Sequence, residues 1–528
     1  MTHARLPQHS FCLDESAERH QFRSHEQQRS GQSRTFFSPG ITADPIDGNV
    51  NNMKTALLVI ALIGFLLPVE GMAQGHLDFT LHKLESVIPG PTVLIVGGIQ
   101  GDEPGGFNAA AMLVSHYTIR KGSIWVVPNL NLPSIIKSSR GVHGDLNRKF
   151  HLLPVSDPDY YKIAHIKSII LDRQVDLVLN LHDGSGFYRP LAIDERRNPR
   201  RWGQSVIIDQ EALDIQPLGQ LEQIARSVVD QVNLHLYDPE HAYHIKNTNT
   251  RLGDREMEKS LTYFAICNGK PAFGLEASKD FPAAMRSYYH LHLIEAFLRR
   301  VGVEYERRFS LDTQAVADVS RSGLAMAFFD HRMVFDFSDV RGRLGFVPMK
   351  KGGAIEFASS NPLLTVTQAG AEIAVHHGNA LLTTLRPQYF DYDISLEGVS
   401  MRVDGGEMQN VRFGDMVHVR DGFELQSLPG VRVNVIGYSR SGRPSECGVT
   451  IARRDVQERF SVDKSGGVYR VEVYKGLKFA GMVLVSFKPP PELRPASIPR
   501  ILSLADQTRK QLPAESARTR TVGDYPSR

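Results

Sequence analysis

Unbroken apolar runs set the frame of the first half of the chain. Residues 93–99 form such a run, interrupted only by glycines near its end, as expected of a strand buried on both faces. Segments 123–127, 175–181 and 272–275 read the same way. Between them, 104–117 predicts a helix with proline near its first turn. A long amphipathic helix over 281–303 closes the unit. Strands alternating with helices from 76 to 305 predict an α/β domain with a largely parallel or mixed sheet.

Past about 307 the pattern changes. Short apolar runs at 324–329, 333–337 and 431–436 are separated by Gly, Asp, Asn and Ser, which predicts all-β structure. Two β modules fit, 306–391 and 392–488, the second with the length of a small sandwich. Pro489-Pro490-Pro491 opens a tail over 489–528, rich in Pro, Arg and Ser, that reads as disordered. At the other end, 1–52 is polar and aperiodic, a disordered or non-native extension. Met53-Lys54, an apolar stretch over 56–69 and Gly71-Met72-Ala73 follow. A charged start, a short apolar core and small residues form the pattern of a secretory signal peptide, here 53–73. The core falls short of the roughly 20 residues that a spanning helix needs. This reading makes Met53 the start and predicts an exported protein whose mature chain begins near Gln74.

Composition excludes several classes. With 528 residues, 41% hydrophobic and 23% charged, the chain is a multidomain globular protein, not a disordered, polytopic or collagen-like one. Its 61 basic and 58 acidic residues leave a net charge of +3, so no global field points to nucleic acid. Three cysteines, Cys12, Cys267 and Cys447, exclude a disulfide scaffold and a thiolate zinc cluster, and no bridge between Cys267 and Cys447 is predicted.

Functional groups of α/β sheets collect in the loops at strand ends. Four such segments stand out: GGIQGDEPGG with Gln100, Asp102 and Glu103; SSRGVHGDLNRKF with Arg140, His143, Asp145, Asn147 and Arg148; LVLNLHDGSG with His182 and Asp183; FGLEAS with Glu276. Each alone has a structural explanation, although a glutamate in an apolar strand needs a partner. Together they suit one chemistry. A catalytic zinc takes three protein ligands and keeps one position for water. Gln100 and Glu103, three residues apart in a turn, can face one ion, with His182 as third ligand. Glu276 is the candidate base for the activated water, and Arg140 the candidate oxyanion partner. Asn147 and Arg148 suit a substrate carboxylate, and His143 is a candidate substrate contact. His241 and His244 read as structural or substrate-contact residues, and the helical His290 and His292 as surface or packing residues.

In this order and spacing the residues resemble the zinc carboxypeptidase superfamily, which includes the aspartoacylase and succinylglutamate desuccinylase deacylases. The resemblance spans 76–305. The usual first ligand there is His, and the Gln100 found here is similar to a branch of bacterial cell-shape carboxypeptidases that trim peptidoglycan. The gaps from Glu103 to Arg140 (37 positions), Glu103 to His182 (79) and His182 to Glu276 (94) are also similar to that branch. The resemblance implies a zinc-carboxypeptidase-like α/β domain followed by two β modules, the last immunoglobulin-like. It further implies a periplasmic D,L-carboxypeptidase that takes meso-diaminopimelate from a muropeptide tripeptide and leaves a dipeptide. Asp145 would accept a hydrogen bond from the Gln100 amide, fixing which end faces zinc. The competing readings are a deacylase of the aspartoacylase type and an inactive wall-binding scaffold; wall or protein partners of the β modules are left open.

Overall fold

The computed structural model describes residues 78–439 and 444–490. The expected extension and signal peptide lie outside the described residues, as does the expected tail apart from its first two positions. The chain divides into two compact units, the first reaching Val316 and the second starting at Ala317. No helix among the described residues is long and apolar enough to cross a membrane.

The first unit is built on a seven-stranded sheet. Its strands are β1 (His82–Glu85), β2 (Thr92–Val96), β3 (Ser123–Val127), β4 (Leu177–Gly184), β5 (Ser205–Ile208), β6 (His244–Asn247) and β7 (Ala272–Ser278), in the order β1-β3-β2-β4-β7-β5-β6. The centre is parallel: β3 on β2, β2 on β4 and β4 on β7. β1 and β5 run antiparallel to their inner neighbours, which makes the sheet mixed. β2, β4 and β7 are buried at every residue, which is why their sequences read as unbroken apolar runs.

Helices α1 (Pro104–His116), α2 (Tyr160–Ile170), α3 (Leu221–Val232), α4 (Leu261–Cys267) and α5 (Ala283–Val301) complete the unit, and α1 and α3 both pack on α5. α1 begins with proline and then carries Gly105 and Gly106. A Cβ at Gly105 would stand 2.4 Å from Arg286 Cβ and from Asp183 Oδ1, and one at Gly106 would stand 2.9 Å from Leu181 Cβ. The missing side chains let the start of α1 lie directly against β4. Past 305, Glu304–Arg307 pairs with Tyr117–Lys121 and carries the first unit beyond the expected boundary.

The second unit is mainly β, with four sheets among the described residues. Its last two four-stranded sheets enclose one core, forming a sandwich over the module expected at 392–488. The hairpin Val468–Lys475/Lys478–Ser486 belongs to that sandwich but serves two cores. Val471, Val473, Ala480, Val483 and Val485 face the sandwich core. Val468, Tyr474, Met482 and Leu484 join the core built by residues 324–385. Cys447 is free, so no bridge joins it to Cys267.

Candidate active site

Strand order brings the predicted segments to one edge of the sheet. His182 on β4 and Glu276 on β7 are directly opposed in the parallel register. Gln100 lies in the loop leaving β2, and Glu103 is the residue before α1, held against β4 by the glycines that follow. Asp183 accepts from the Gly105 backbone N–H at 2.8 Å and from Arg286 at 2.9 Å, tying the start of α1 to the strand that carries His182. Asp145 caps the short turn Leu146–Arg148 by accepting from the Asn147 backbone N–H.

One cavity of about 260 Å³ collects Gln100, Glu103, Arg140, Asn147, Arg148, His182 and Glu276. Asp145 stands behind it, accepting from Gln100 Nε2 at 2.8 Å. That bond turns the Gln100 Oε1 end away from Asp145, the orientation inferred from the sequence. The other Asp145 oxygen accepts from Arg140 at 2.9 Å. Burial alone would raise the Asp145 carboxyl; the Gln100 bond and the Arg140 charge outweigh it and hold it below its ordinary value. Arg140 also approaches Glu103 at 3.8 Å. Arg148 approaches Glu256 at 3.9 Å, donates to the Asn147 carbonyl at 2.9 Å and reaches Met257 Sδ at 3.8 Å.

Gln100, Glu103, His182 and Glu276 are all buried. His182 Nδ1 lies 2.9 Å from Glu103 Oε2. Burial lowers the His182 pKa, but the bond to Glu103 and its charge more than reverse this. Glu276 is pushed up to about 8, chiefly by burial and further by the nearby Glu103 and Asp183 charges, against a downward pull from His182. Its Oε2 is buried with no hydrogen-bond partner.

This donor set fits a divalent metal. An amide oxygen, a carboxylate and an imidazole nitrogen border one cavity, with a second carboxylate whose buried oxygen is unpaired. Two ligands of a tetrahedral ion with bonds of about 2.0–2.2 Å lie about 3.3–3.5 Å apart. The 2.9 Å separation of Glu103 and His182 needs only a small opening to match that. Among the described residues no group of three His, Cys, Asp or Glu side chains could hold a metal, and here one of the three donors is a glutamine amide.

The other histidines singled out in the sequence lie outside the cavity lining. His143 is exposed and does not line the cavity. It sits at the tip of a tight turn in which Val142 bridges Gly144, whose φ is +92°. His290 is fully buried and meets Asp183 at 3.1 Å, while His292 stacks on His235, so both pack in the interior, not on the surface. His241 meets the Tyr289 hydroxyl at 2.7 Å, a structural role. Lys279 was not singled out, yet it lies 3.4 Å from Glu103 and 2.8 Å from Asp102 and lines the cavity. Trp202 also lines it, from a loop without periodicity.

The profile of a family described as carboxypeptidase controlling helical cell shape, catalytic, matches residues 53–320. One described as C-terminal domain of metallo-carboxypeptidase matches residues 392–488. The apo structure of the cell shape determinant protein Csd4 from Helicobacter pylori is 38% identical at a TM-score of 0.74, covering 78% of this chain and 100% of that one. The mDAP-bound form of the same Helicobacter pylori protein, described as a D,L-carboxypeptidase, is 38% identical at 0.74 over 77% of this chain and 100% of that one. A curated N-alpha-acetyl-L-2,4-diaminobutyric acid deacetylase from Halomonas elongata is 36% identical over 136 residues, 22% of this chain. The chain spans 39% of that relative's length.

Proposed function

Given that the chain belongs to the family of carboxypeptidases controlling helical cell shape, we propose that it is a zinc-dependent D,L-carboxypeptidase that removes meso-diaminopimelate from a peptidoglycan tripeptide, acting in the periplasm after export. The observation that carries the metal reading is the shared cavity of Gln100, Glu103 and His182, with Asp145 holding the Gln100 NH₂ at 2.8 Å. Zinc prefers imidazole to an amide oxygen, so a fixed amide offsets a weaker donor. The substrate class rests on the mDAP-bound and tripeptide-bound forms of the Helicobacter pylori relative.

Bound at these three residues, the metal would supply a Lewis acid and a water acidic enough to lose its proton near neutral pH. The protein supplies the rest. Arg148, with Asn147 beside it, docks the terminal carboxylate through paired donors. Arg140 donates to the scissile carbonyl oxygen as charge grows on it. Glu276 takes the proton from the attacking water and passes it to the leaving amine. The charge of the metal would favour the Glu276 carboxylate over the protonated form that burial alone favours, which leaves it able to accept a proton.

The test is digestion of purified muropeptides, with and without chelator, read by mass spectrometry. Release of diaminopimelate from tripeptide that chelator stops and zinc restores is the expected outcome. Intact tripeptide together with cleaved N-acetyl-2,4-diaminobutyrate would overturn it in favour of a deacylase. N-terminal sequencing of the exported chain tests processing near Gln74; a periplasmic chain that begins before Met53 would refute it.

A further inference from the structure

A groove of about 530 Å³ in the second unit is lined by residues of both β modules, 343–346 from one and 434–470 from the other. Two aromatic rings border it, Phe346 at 58% exposure and Phe460 at 38%. Each has a guanidinium over its ring: Arg386 lies 5.6 Å from the Phe346 ring and Arg459 4.9 Å from that of Phe460. Neither arginine enters an ion pair among the described residues. Against these charges the lining sets one carboxylate, Glu446, which is half-buried and already accepts from the Val435 backbone N–H at 3.2 Å.

The exposure of Phe346 is imposed by the backbone. Strand Arg343–Lys350 runs parallel to Ala380–Phe390 and slips register between Leu344 and Val347. An irregularity of this kind re-aims a side chain. Phe346 sits within it at φ +54°, a left-handed backbone that a bulky residue adopts only under strain. Buried Arg470 fixes the segment from the neighbouring module. It donates to the Gly345 carbonyl at 2.8 Å and to the Phe346 carbonyl at 3.4 Å, and Glu472 meets its charge at 3.4 Å. Hydrophobic burial would draw such a ring inward, yet the fold holds it in solvent on a strained backbone. Strain of this sort persists where the surroundings over-determine it, and it gathers at ligand sites.

We propose that this groove binds the peptidoglycan polymer itself, with sugar faces stacking on Phe346 and Phe460 and stem-peptide carboxylates pairing with Arg386 and Arg459. Sugar rings present C–H faces, which pack on the electron-rich faces of aromatic rings. Carboxylates take the paired donors of a guanidinium. A neutral glycan would leave the arginines without partners, and a simple anion would leave the rings bare. A glycan chain with pendant carboxylates uses both. The choice of polymer rests on the peptidoglycan reading above. Held on the wall, the enzyme meets stem peptides at a raised effective concentration.

The test is co-sedimentation of the full chain with purified sacculi, for wild type, Phe346→Asn, Phe460→Ala and Arg459→Gln, beside turnover of soluble tripeptide. The active site is the same in all four, so a loss of retention reports the groove. Asn tolerates the left-handed backbone, so Phe346→Asn should fold and should unfold at no lower temperature than wild type. Each variant should be retained about 10-fold more weakly, as for a central aromatic or arginine anchor, with turnover of soluble tripeptide unchanged. Sacculi whose carboxylates have been amidated should likewise hold the wild type about 10-fold more weakly. Retention that ignores all three substitutions, or that survives amidation, would overturn the inference. So would a dimer of the chain, seen in analytical ultracentrifugation, that these substitutions break apart. A chain retained through the groove that cleaves no tripeptide brings down the catalytic reading and leaves this inference standing. One that cleaves tripeptide while its retention ignores the groove sinks this inference alone.

Discussion

Replacing Glu276 by Gln should move stability and activity in opposite directions. In the metal-free chain the Glu276 pKa is pushed up to about 8 from an ordinary 4.5, first by burial. An acid raised in this way keeps its proton longer in the folded state than in the unfolded one. Its contribution to stability is intact below about pH 4.5, declines as pH rises, and is fully lost above about pH 8. At about 1.36 kcal/mol per pKa unit the ceiling of that loss is about 5 kcal/mol. Relaxation and water entry around a buried charge reduce it, and roughly 2–3 kcal/mol is expected. Gln is nearly isosteric with protonated Glu and cannot ionise. The unfolding midpoint of metal-free Glu276→Gln should therefore lie close to wild type near pH 5 and about 5–10 °C above it near pH 8.5. Thermal unfolding across that range, after chelation, reads the difference directly. Saturating zinc should narrow the gap, because a nearby cation favours the carboxylate. The same variant should lose about 10²–10⁴-fold in kcat while still binding zinc, since the base is gone and the ligands remain. A midpoint difference that ignores pH, or a wild type more stable than the variant at pH 8.5, would refute the burial argument. More than about one percent residual turnover would refute the base role.

Three further outcomes follow from the geometry. Asp145→Ala removes the anchor of the Gln100 amide and should weaken zinc binding about 10–100-fold, measured by competition titration; unchanged affinity would remove Asp145 from the metal site. Arg148→Ala should lower kcat/KM for tripeptide about 10–100-fold, mostly through KM, since a charged hydrogen bond to substrate is worth about 1.5–3 kcal/mol; a loss confined to kcat would contradict a docking role. Gly105→Ala places a Cβ 2.4 Å from Arg286 Cβ and Asp183 Oδ1, so the start of α1 must shift. It should cost about 1–3 kcal/mol in denaturant unfolding and also weaken zinc, and wild-type behaviour in both assays would show that the close approach is not needed.

Much of the site was legible because burial on both faces writes strands as apolar runs, and chemistry stands out against them. His182 and Glu276 are polar residues at the ends of such runs, and the parallel sheet brings them into register. Gln100 and Glu103 were legible as a pair because three residues of turn keep them close. Asn180, a polar residue in LVLNLHDG at the strand period from His182, was passed over, although its side-chain amide lies 2.8 Å from His182 Nε2. Lys279 and Trp202 carried none, because a loop has no period to say which way its side chains turn. Proximity in sequence to Arg140 and Asp145 does not say which way the turn carrying His143 faces, and that residue is exposed outside the cavity lining. The runs at 324–329, 333–337 and 431–436 were legible as strands, while the hairpin Val468–Lys475/Lys478–Ser486 was not singled out. That this hairpin answers to two cores could not be seen either, since a doubly buried strand reads alike whichever layer covers each face.

That hairpin has a practical consequence for dissecting the protein. A gene fragment that stops at residue 391 omits more than the sandwich; it takes away Val468, Tyr474, Met482 and Leu484, which fill the preceding β module from outside its own stretch of chain. The shortened product would expose part of that core, including the strand Met333–Asp336 that packs on the second strand of the hairpin, and would be prone to aggregate. Deleting the last module to ask what it binds would therefore damage the one before it, and point substitutions on its outer surface are the cleaner route to that question.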